Sequence, residues 1–277
     1  GIFSEYLARK YQARLVWMGR SELTAGGRAK LEVLKNQGAE VFYVRGDVQL
    51  PADVKEAVRQ AKERFGRIHG VIHAAGVVHN SFLFNKSVED LHQVLSAKVF
   101  GTVNLDDALA LEPLDTFLLC SSVASILPEA GQSDYAFANR FLDEFADRRE
   151  ALRKQGLRSG RTLAINWQMW REAGIVANSS AEELRVQAEQ TEQLTGLPPL
   201  TLEQGIHLLE QAAQMSISSG LFGYGNRERL LRRVRQMSRA GFTARVQVQA
   251  FSDEQVLYAR TEVYVKALLA DLLKVPF

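Results

Sequence analysis

A single cysteine, Cys120, stands among the 277 residues. That excludes a disulfide framework and a thiolate metal site, and Cys120 itself reads as a small buried residue closing an apolar strand. No grouping of His, Cys or carboxylates has ligand spacing, so no metal is expected. Charge of one sign is missing too: 34 Lys and Arg balance 32 Asp and Glu to a net +2. With no basic stripe interleaved with aromatics, nucleic acid is not an expected partner. No apolar run reaches membrane-spanning length and no signal peptide opens the chain, so no membrane partner is expected and the location is read as cytoplasmic. Repeats and low-complexity tracts are absent. What remains is an ordinary globular composition, 46% hydrophobic and 24% charged, long enough for one or two domains.

Short apolar strands alternate with helical patterns, which predicts an α/β fold with a doubly wound parallel sheet. The strand candidates are Leu15–Met18, Val41–Val44, Val71–His73, Phe117–Cys120 and Leu163–Trp167, with helices over 24–37, 51–65, 88–110 and 134–155. Both ends are unusual. Gly1 leads directly into an amphipathic helix, Ile2–Ala8, with no strand before it. In a dinucleotide-binding fold a central first strand and a Gly-rich turn precede such a helix. The sheet is therefore expected to be truncated at its N-terminus, with Gly1 the last glycine of a phosphate-binding loop. Toward the other end, a basic helix near 227–235 gives way to residues that lose periodicity. The expected division is a catalytic domain over 1–237, a linker over 238–253 and a helical tail over 254–277.

The chemistry is carried by three short segments. Lys98 lies in Ser96-Ala97-Lys98-Val99, Ser122 in Cys120-Ser121-Ser122-Val123, and Tyr135 and Asn139 in Tyr-Ala-Phe-Ala-Asn. A hydroxyl from a strand end and a phenol from the following helix can meet one carbonyl oxygen, and Asn139 falls one turn after Tyr135 on the same helix face. Such a set suits addition of hydride and a proton to a ketone. Tyr135 is the expected general acid. Its ordinary pKa of about 10 is too high for easy exchange, and the Lys98 ammonium would lower it. Ser122 would hold the developing oxyanion, and Asn139 would position a water or orient the lysine. Taken singly, each has a plainer reading: a snorkelling lysine, a serine at a turn or helix cap, a polar helix face.

The cofactor side is less complete. Arg20 follows the first strand seen here, where an arginine favours a nucleotide 2′-phosphate. Asp47 and Val48 follow the next strand and could meet an adenine, although Asp47 could equally cap the helix near 51. Ala74, Ala75 and Gly76 would let a dinucleotide lie close to the backbone. His73 reads as a packed core residue. A Glu- and Gln-rich helix around 179–193 reads as a solvated face or as a lid over the substrate.

His73-Ala74-Ala75-Gly76-Val77, the Lys98 helix, Leu119–Ser122 and Tyr135–Asn139 resemble the ketoreductase domain of modular polyketide synthases. These are Rossmann-like enzymes of the short-chain dehydrogenase/reductase superfamily. Most of the superfamily places a lysine four residues after the tyrosine and an asparagine in the earlier helix; polyketide ketoreductases exchange them, as Asn139 and Lys98 are exchanged here. Ile165–Trp170 and Gly223–Arg227 look like later segments of the same family, and Ser81–Ser87 is worded as in synthases whose acyltransferases act in trans. Residues 254–277 resemble the first helix of an acyl carrier protein, stopping short of any attachment serine.

The resemblance implies NADPH-dependent reduction of a carrier-bound β-ketoacyl thioester to a β-hydroxyacyl thioester. Tyr135, Ser122, Lys98 and Asn139 would be the catalytic residues, and Gly1, Arg20, Asp47, Val48, Ala74, Ala75, Gly76, Lys98 and Tyr135 would bind the cofactor. The implied partners are an acyl carrier protein bearing a β-ketoacyl phosphopantetheine and the other domains of the same synthase. Two positions depart from the family's stereochemical markers. Val78-His79-Asn80 replaces Leu-Asp-Asp, and Leu127 replaces a tryptophan; lacking the acid at Asn80, the chain leans toward an L-hydroxyl product. The rival readings are a non-reducing structural or epimerising module, which predicts a broken tetrad, and a free-standing short-chain alcohol dehydrogenase, against which the exchanged Lys and Asn count.

Overall fold

A computed structural model of the chain describes residues 1–171, 181–239, 245–250 and 256–262. The first half alternates as the apolar pattern dictates: α1 (Ile2–Tyr11), β1 (Leu15–Gly19), α2 (Ala25–Asn36), β2 (Val41–Arg45), α3 (Pro51–Phe65) and β3 (Gly70–His73). Then come α4 (Val88–Ala108), β4 (Thr116–Ser122), α5 (Ser133–Lys154) and β5 (Arg161–Trp167). The described remainder consists of α6 (Ala181–Thr195), α7 (Leu202–Gln214), β6 (Ser219–Tyr224), α8 (Arg227–Arg239), β7 (Arg245–Ala250) and β8 (Val256–Glu262).

Local chemistry explains the helix starts. Thr24 accepts a hydrogen bond from the Gly27 N–H at the head of α2, Pro51 opens α3, and Ser87 and Asp90 close a reciprocal capping box on α4.

The strands form two sheets. β1 and β2 pair in parallel as a two-stranded sheet, while the larger one has the order β3-β4-β5-β6-β8-β7. Its β3 to β6 portion is parallel, and β8 and β7 are added antiparallel. β4 shows why its sequence is an unbroken apolar run. Phe117 and Leu119 pack with Leu109, just after α4, and with Leu142 and Ala146 of α5, whereas Leu118 and Cys120 join Leu163, Trp167 and Leu208 in a cluster that also holds Phe3 of α1. Both faces are covered, so neither can be polar.

Three features matter for what these layers position. Helix α1 touches both sheets: Trp17 Nε1 of β1 donates to Ser4 Oγ at 2.9 Å, and Phe3 lies 5.7 Å from Trp167 and 5.9 Å from Trp170, ring centre to ring centre. Buried Arg149 of α5 donates to Asp106 of α4 at 2.7 Å and also reaches Thr162 and the carbonyls of Ser159 and Gly160, tying the far end of α5 to the start of β5. Between β1 and β3, and on past the ends of β3 and β4, runs a cleft of about 1940 Å³.

Two expectations are corrected. Part of the linker expected over 238–253 is ordered: α8 continues to Arg239 and β7 forms at Arg245–Ala250. The helical tail expected from 254 is a strand where it is described, β8, paired with both β6 and β7. The reason is visible in Arg245-Val246-Gln247-Val248-Gln249-Ala250, which alternates with period two. Residues 263–277, where the rest of the expected carrier-like helix falls, lie outside the described residues, as do 179–180 of the Glu- and Gln-rich segment.

Candidate active site

The end of β4 and the start of α5 meet at the cleft. Ser122 is the last residue of β4, and its Oγ accepts the Ala124 N–H at 3.2 Å, opening a single 3-10 turn. The plain reading of this serine as a cap therefore holds, and the same side chain lines the cleft beside Tyr135 and Lys98. Tyr135 is the third residue of α5, and Asn139 follows one turn later. Asn139 Nδ2 donates to the Tyr135 carbonyl at 2.7 Å; its Oδ1 is buried without a hydrogen-bond partner. A buried acceptor left open in this way is a place for a water or a ligand donor.

Burial pushes the Tyr135 phenol above its ordinary value, opposed by the side chains of Ser122 and Asn139. Lys98 is not what opposes it. Its Nζ donates to the Cys120 carbonyl at 2.7 Å, and the side chain is only 3% exposed, so it does not snorkel. Desolvation lowers its pKa to about 8, partly offset by the neighbourhood of Cys120 and Asp143. The structure thus gathers Lys98, Ser122, Tyr135 and Asn139, but its phenol is protonated at neutral pH and its ammonium is anchored to a strand carbonyl. Burial also pushes the Cys120 thiol up to about 11, which makes it an inert neighbour.

Behind these groups lies a polar network that motif reading did not assign. Asn166 Nδ2 at the end of β5 reaches Asp143 Oδ1 at 2.7 Å, Ser125 Oγ at 2.8 Å and Ser121 Oγ at 3.0 Å, and Ser121 donates to the Asn139 carbonyl at 3.1 Å. Burial raises the Asp143 pKa to about 6 despite Arg140 and these hydrogen bonds. One signal was available: Asp143 lies one further turn along the helix face that carries Tyr135 and Asn139.

The residues expected to hold a cofactor all border the same cleft. Gly1, Arg20, Asp47, Val48, Ala74, Ala75 and Gly76 line it. Arg20 is exposed just beyond β1, with no ion pair among the described residues. Asp47 Oδ1 accepts the Gln49 N–H and the Asp47 N–H is held by Asp53, so this carboxylate shapes the loop before α3, whose cap position is Leu50. Ala74 and Ala75 are exposed to the cleft directly after β3. His73 is buried, with Nε2 3.0 Å from the Ala97 carbonyl and a pKa lowered by burial to about 3, as befits a packed core histidine. Helix α6 carries the expected solvated face, where Arg185 pairs with Glu182 and Glu189, and its Gln187 and Thr191 border the cleft. No group of three potential metal ligands occurs among the described residues, and no helix among them is long and apolar enough to cross a membrane.

Comparison with known proteins places this geometry. Residues 2–172 match the KR domain family. Polyketide synthase PksN of Bacillus subtilis (strain 168) is 39% identical over 212 residues, covering 76% of this chain and 4% of PksN. Polyketide synthase ThaG of Burkholderia thailandensis is 34% identical over 226 residues, 82% of this chain and 4% of ThaG. Among solved structures, a ketoreductase domain from the bacillaene assembly line superposes with a TM-score of 0.78 at 32% identity, covering 84% of this chain and 55% of that one. An N-terminal ketoreductase from the macrolactin assembly line gives 0.70 at 36% identity, with 83% and 43% covered. The chain thus spans a small part of the synthases it matches and about half of these two ketoreductase structures.

Proposed function

This chain belongs to the KR domain family, and we propose that it reduces the β-keto group of a carrier-bound acyl thioester to a β-hydroxyl with NADPH. The observation that carries the reading is the convergence of Ser122, Tyr135 and Lys98 on one cleft, with the open Asn139 Oδ1 buried behind them.

The cleft fits a nicotinamide dinucleotide. Small residues at Ala74, Ala75 and Gly76 allow close approach to the backbone, and Lys98 and Arg20 offer cationic groups along it. Arg20 would meet a 2′-phosphate, and Gly1, Asp47 and Val48 would flank the nucleotide. When bound, NADPH supplies the hydride that reduces the carbonyl carbon.

Ser122 Oγ donates to the ketone oxygen and stabilises the negative charge that develops there. Tyr135 gives the phenolic proton to that oxygen, for which a phenol kept protonated by burial is the right starting state. Once the product oxygen is protonated, the Ser122 hydroxyl can turn its proton to the phenolate, which the Asn139 side chain also stabilises. Lys98 sets a positive charge at the end of β4, and Asn139 Oδ1 holds a water through which Tyr135 can recover a proton from solvent. The substrate's carrier would be an acyl carrier protein, and the neighbouring domains those of a polyketide synthase, as the names of the relatives suggest.

The test is NADPH oxidation, followed by absorbance, with a β-ketoacyl thioester in the full-length protein and in its Tyr135→Phe variant. Turnover that falls by at least about a hundredfold in a folded, NADPH-binding variant is the expected result. A wild-type protein that binds NADPH and never oxidises it would favour the epimerising or structural role.

A further inference from the structure

Lys86 and Asp134 form an ion pair that the chemistry above does not use. Lys86 Nζ lies 2.5 Å from Asp134 Oδ2, with side-chain exposures of 0% and 1%. The same ammonium donates to the His79 carbonyl, and the other Asp134 oxygen accepts the Tyr135 N–H at 2.9 Å. An ion pair this deeply buried is costly to desolvate, and stability alone does not favour keeping one. Its position suggests what it does. Lys86 immediately precedes Ser87, the cap of the helix that carries Lys98, while Asp134 sits in the first turn of the helix that carries Tyr135 and Asn139. A second link lies alongside: the Ser81 N–H donates to the Gly131 carbonyl at 3.0 Å. The segment following β3, which borders the cleft at Val77 and Val78, is thereby pinned at two points to the turn that introduces the tyrosine.

We propose that Lys86 and Asp134 are a positioning pair. Their bond clamps the starts of α4 and α5 together and sets the Tyr135 phenol relative to Lys98 and to the wall of the substrate cleft. Neither residue touches the reacting atoms. The proposal rests on the ketoreductase reading for its effect on rate, but not for the clamp itself. Two hydrogen-bonded helix starts leave little slack, and a misplacement of about 1 Å in a catalytic group can cost about a hundredfold in rate.

The test compares the full-length wild-type protein with Lys86→Met, Asp134→Asn and the double variant. The readouts are steady-state reduction of a β-ketoacyl thioester, NADPH affinity, melting temperature and amide hydrogen exchange over 79–87 and 131–136. Each single variant strands one buried charge. It is expected to lower kcat by at least about tenfold, with KM and NADPH affinity held within about threefold. The neutral double variant is expected to regain the melting temperature without regaining kcat, and exchange should quicken in both segments together. A double variant that regains both temperature and rate would overturn the proposal, since the pair would then be only a structural contact; so would folded single variants with unchanged rate and exchange. A wild-type protein with no turnover would sink the ketoreductase reading alone. Exchange then decides the clamp, which stands if both segments loosen together and falls if they do not.

Discussion

Lys98 Nζ donates to the main-chain carbonyl of Cys120, two residues before Ser122, so the buried ammonium and the serine hydroxyl are held on one strand end. This bond fixes where the positive charge stands, and burial fixes when it is lost.

With its pKa lowered to about 8, Lys98 is charged below that pH and neutral above it. The kcat/KM of reduction is expected to be level below pH 8 and to fall about tenfold per unit above it. In Lys98→Arg, whose guanidinium keeps its proton, the residual activity should lose that break. A pH–rate profile of both proteins checks this, and a wild-type plateau to pH 10 would contradict it.

Ser122 serves two partners, so its removal should show two unequal effects. Ser122→Ala is expected to lower kcat by about a hundredfold or more through loss of the oxyanion donor. It should cost only about 1 kcal/mol in stability through loss of the hydrogen bond to the Ala124 N–H. Kinetics and urea denaturation on the same preparation separate the two.

Asp143 is buried, with a pKa raised from 3.8 to about 6. Because the folded protein holds this proton more tightly than the unfolded chain, the stabilising contribution is complete below pH 3.8. It disappears as the pH rises through about 6. Asp143→Asn retains an acceptor for Asn166 Nδ2 and should flatten stability across that window. At pH 7 the variant is expected to be more stable by up to about 3 kcal/mol, two pKa units at 1.36 kcal/mol each. Denaturation midpoints at pH 4, 5.5 and 7 provide the measurement.

Arg20 sits exposed at the end of β1. Arg20→Asp should weaken NADPH relative to NADH by at least about tenfold in kcat/KM, because a carboxylate repels a 2′-phosphate and accepts from a 2′-hydroxyl. An unchanged cofactor preference would remove Arg20 from the nucleotide site.

The alternating core was readable because its strands are buried on both faces: Phe117–Cys120 and Leu163–Trp167 could be nothing but central strands, and each extends by only a few residues in the structure. The strand at Arg245–Ala250 is hard to see in the sequence because it is only six residues long and its polar positions, Arg245, Gln247 and Gln249, give it the look of a polar linker. Helix α7 carries its own signal, a Thr201 and Gln204 capping box, and went unread beside the stronger motifs upstream. The tetrad residues could be listed from spacing, but not their protonation, because a phenol raised by burial and an ammonium held by a carbonyl depend on depth. Lys86 and Asp134, 48 residues apart, lie beyond any periodicity: only the folded packing of α4 on α5 brings them together.

The bridging helix α1 has a consequence for how this protein can be watched. All three tryptophans of the chain, Trp17, Trp167 and Trp170, lie against it. One belongs to the two-stranded sheet and two lie at or just beyond the end of β5. A change in the spacing of the two sheets would shift an indole against Ser4 or Phe3, so the chain's intrinsic emission reports on that spacing with no label attached.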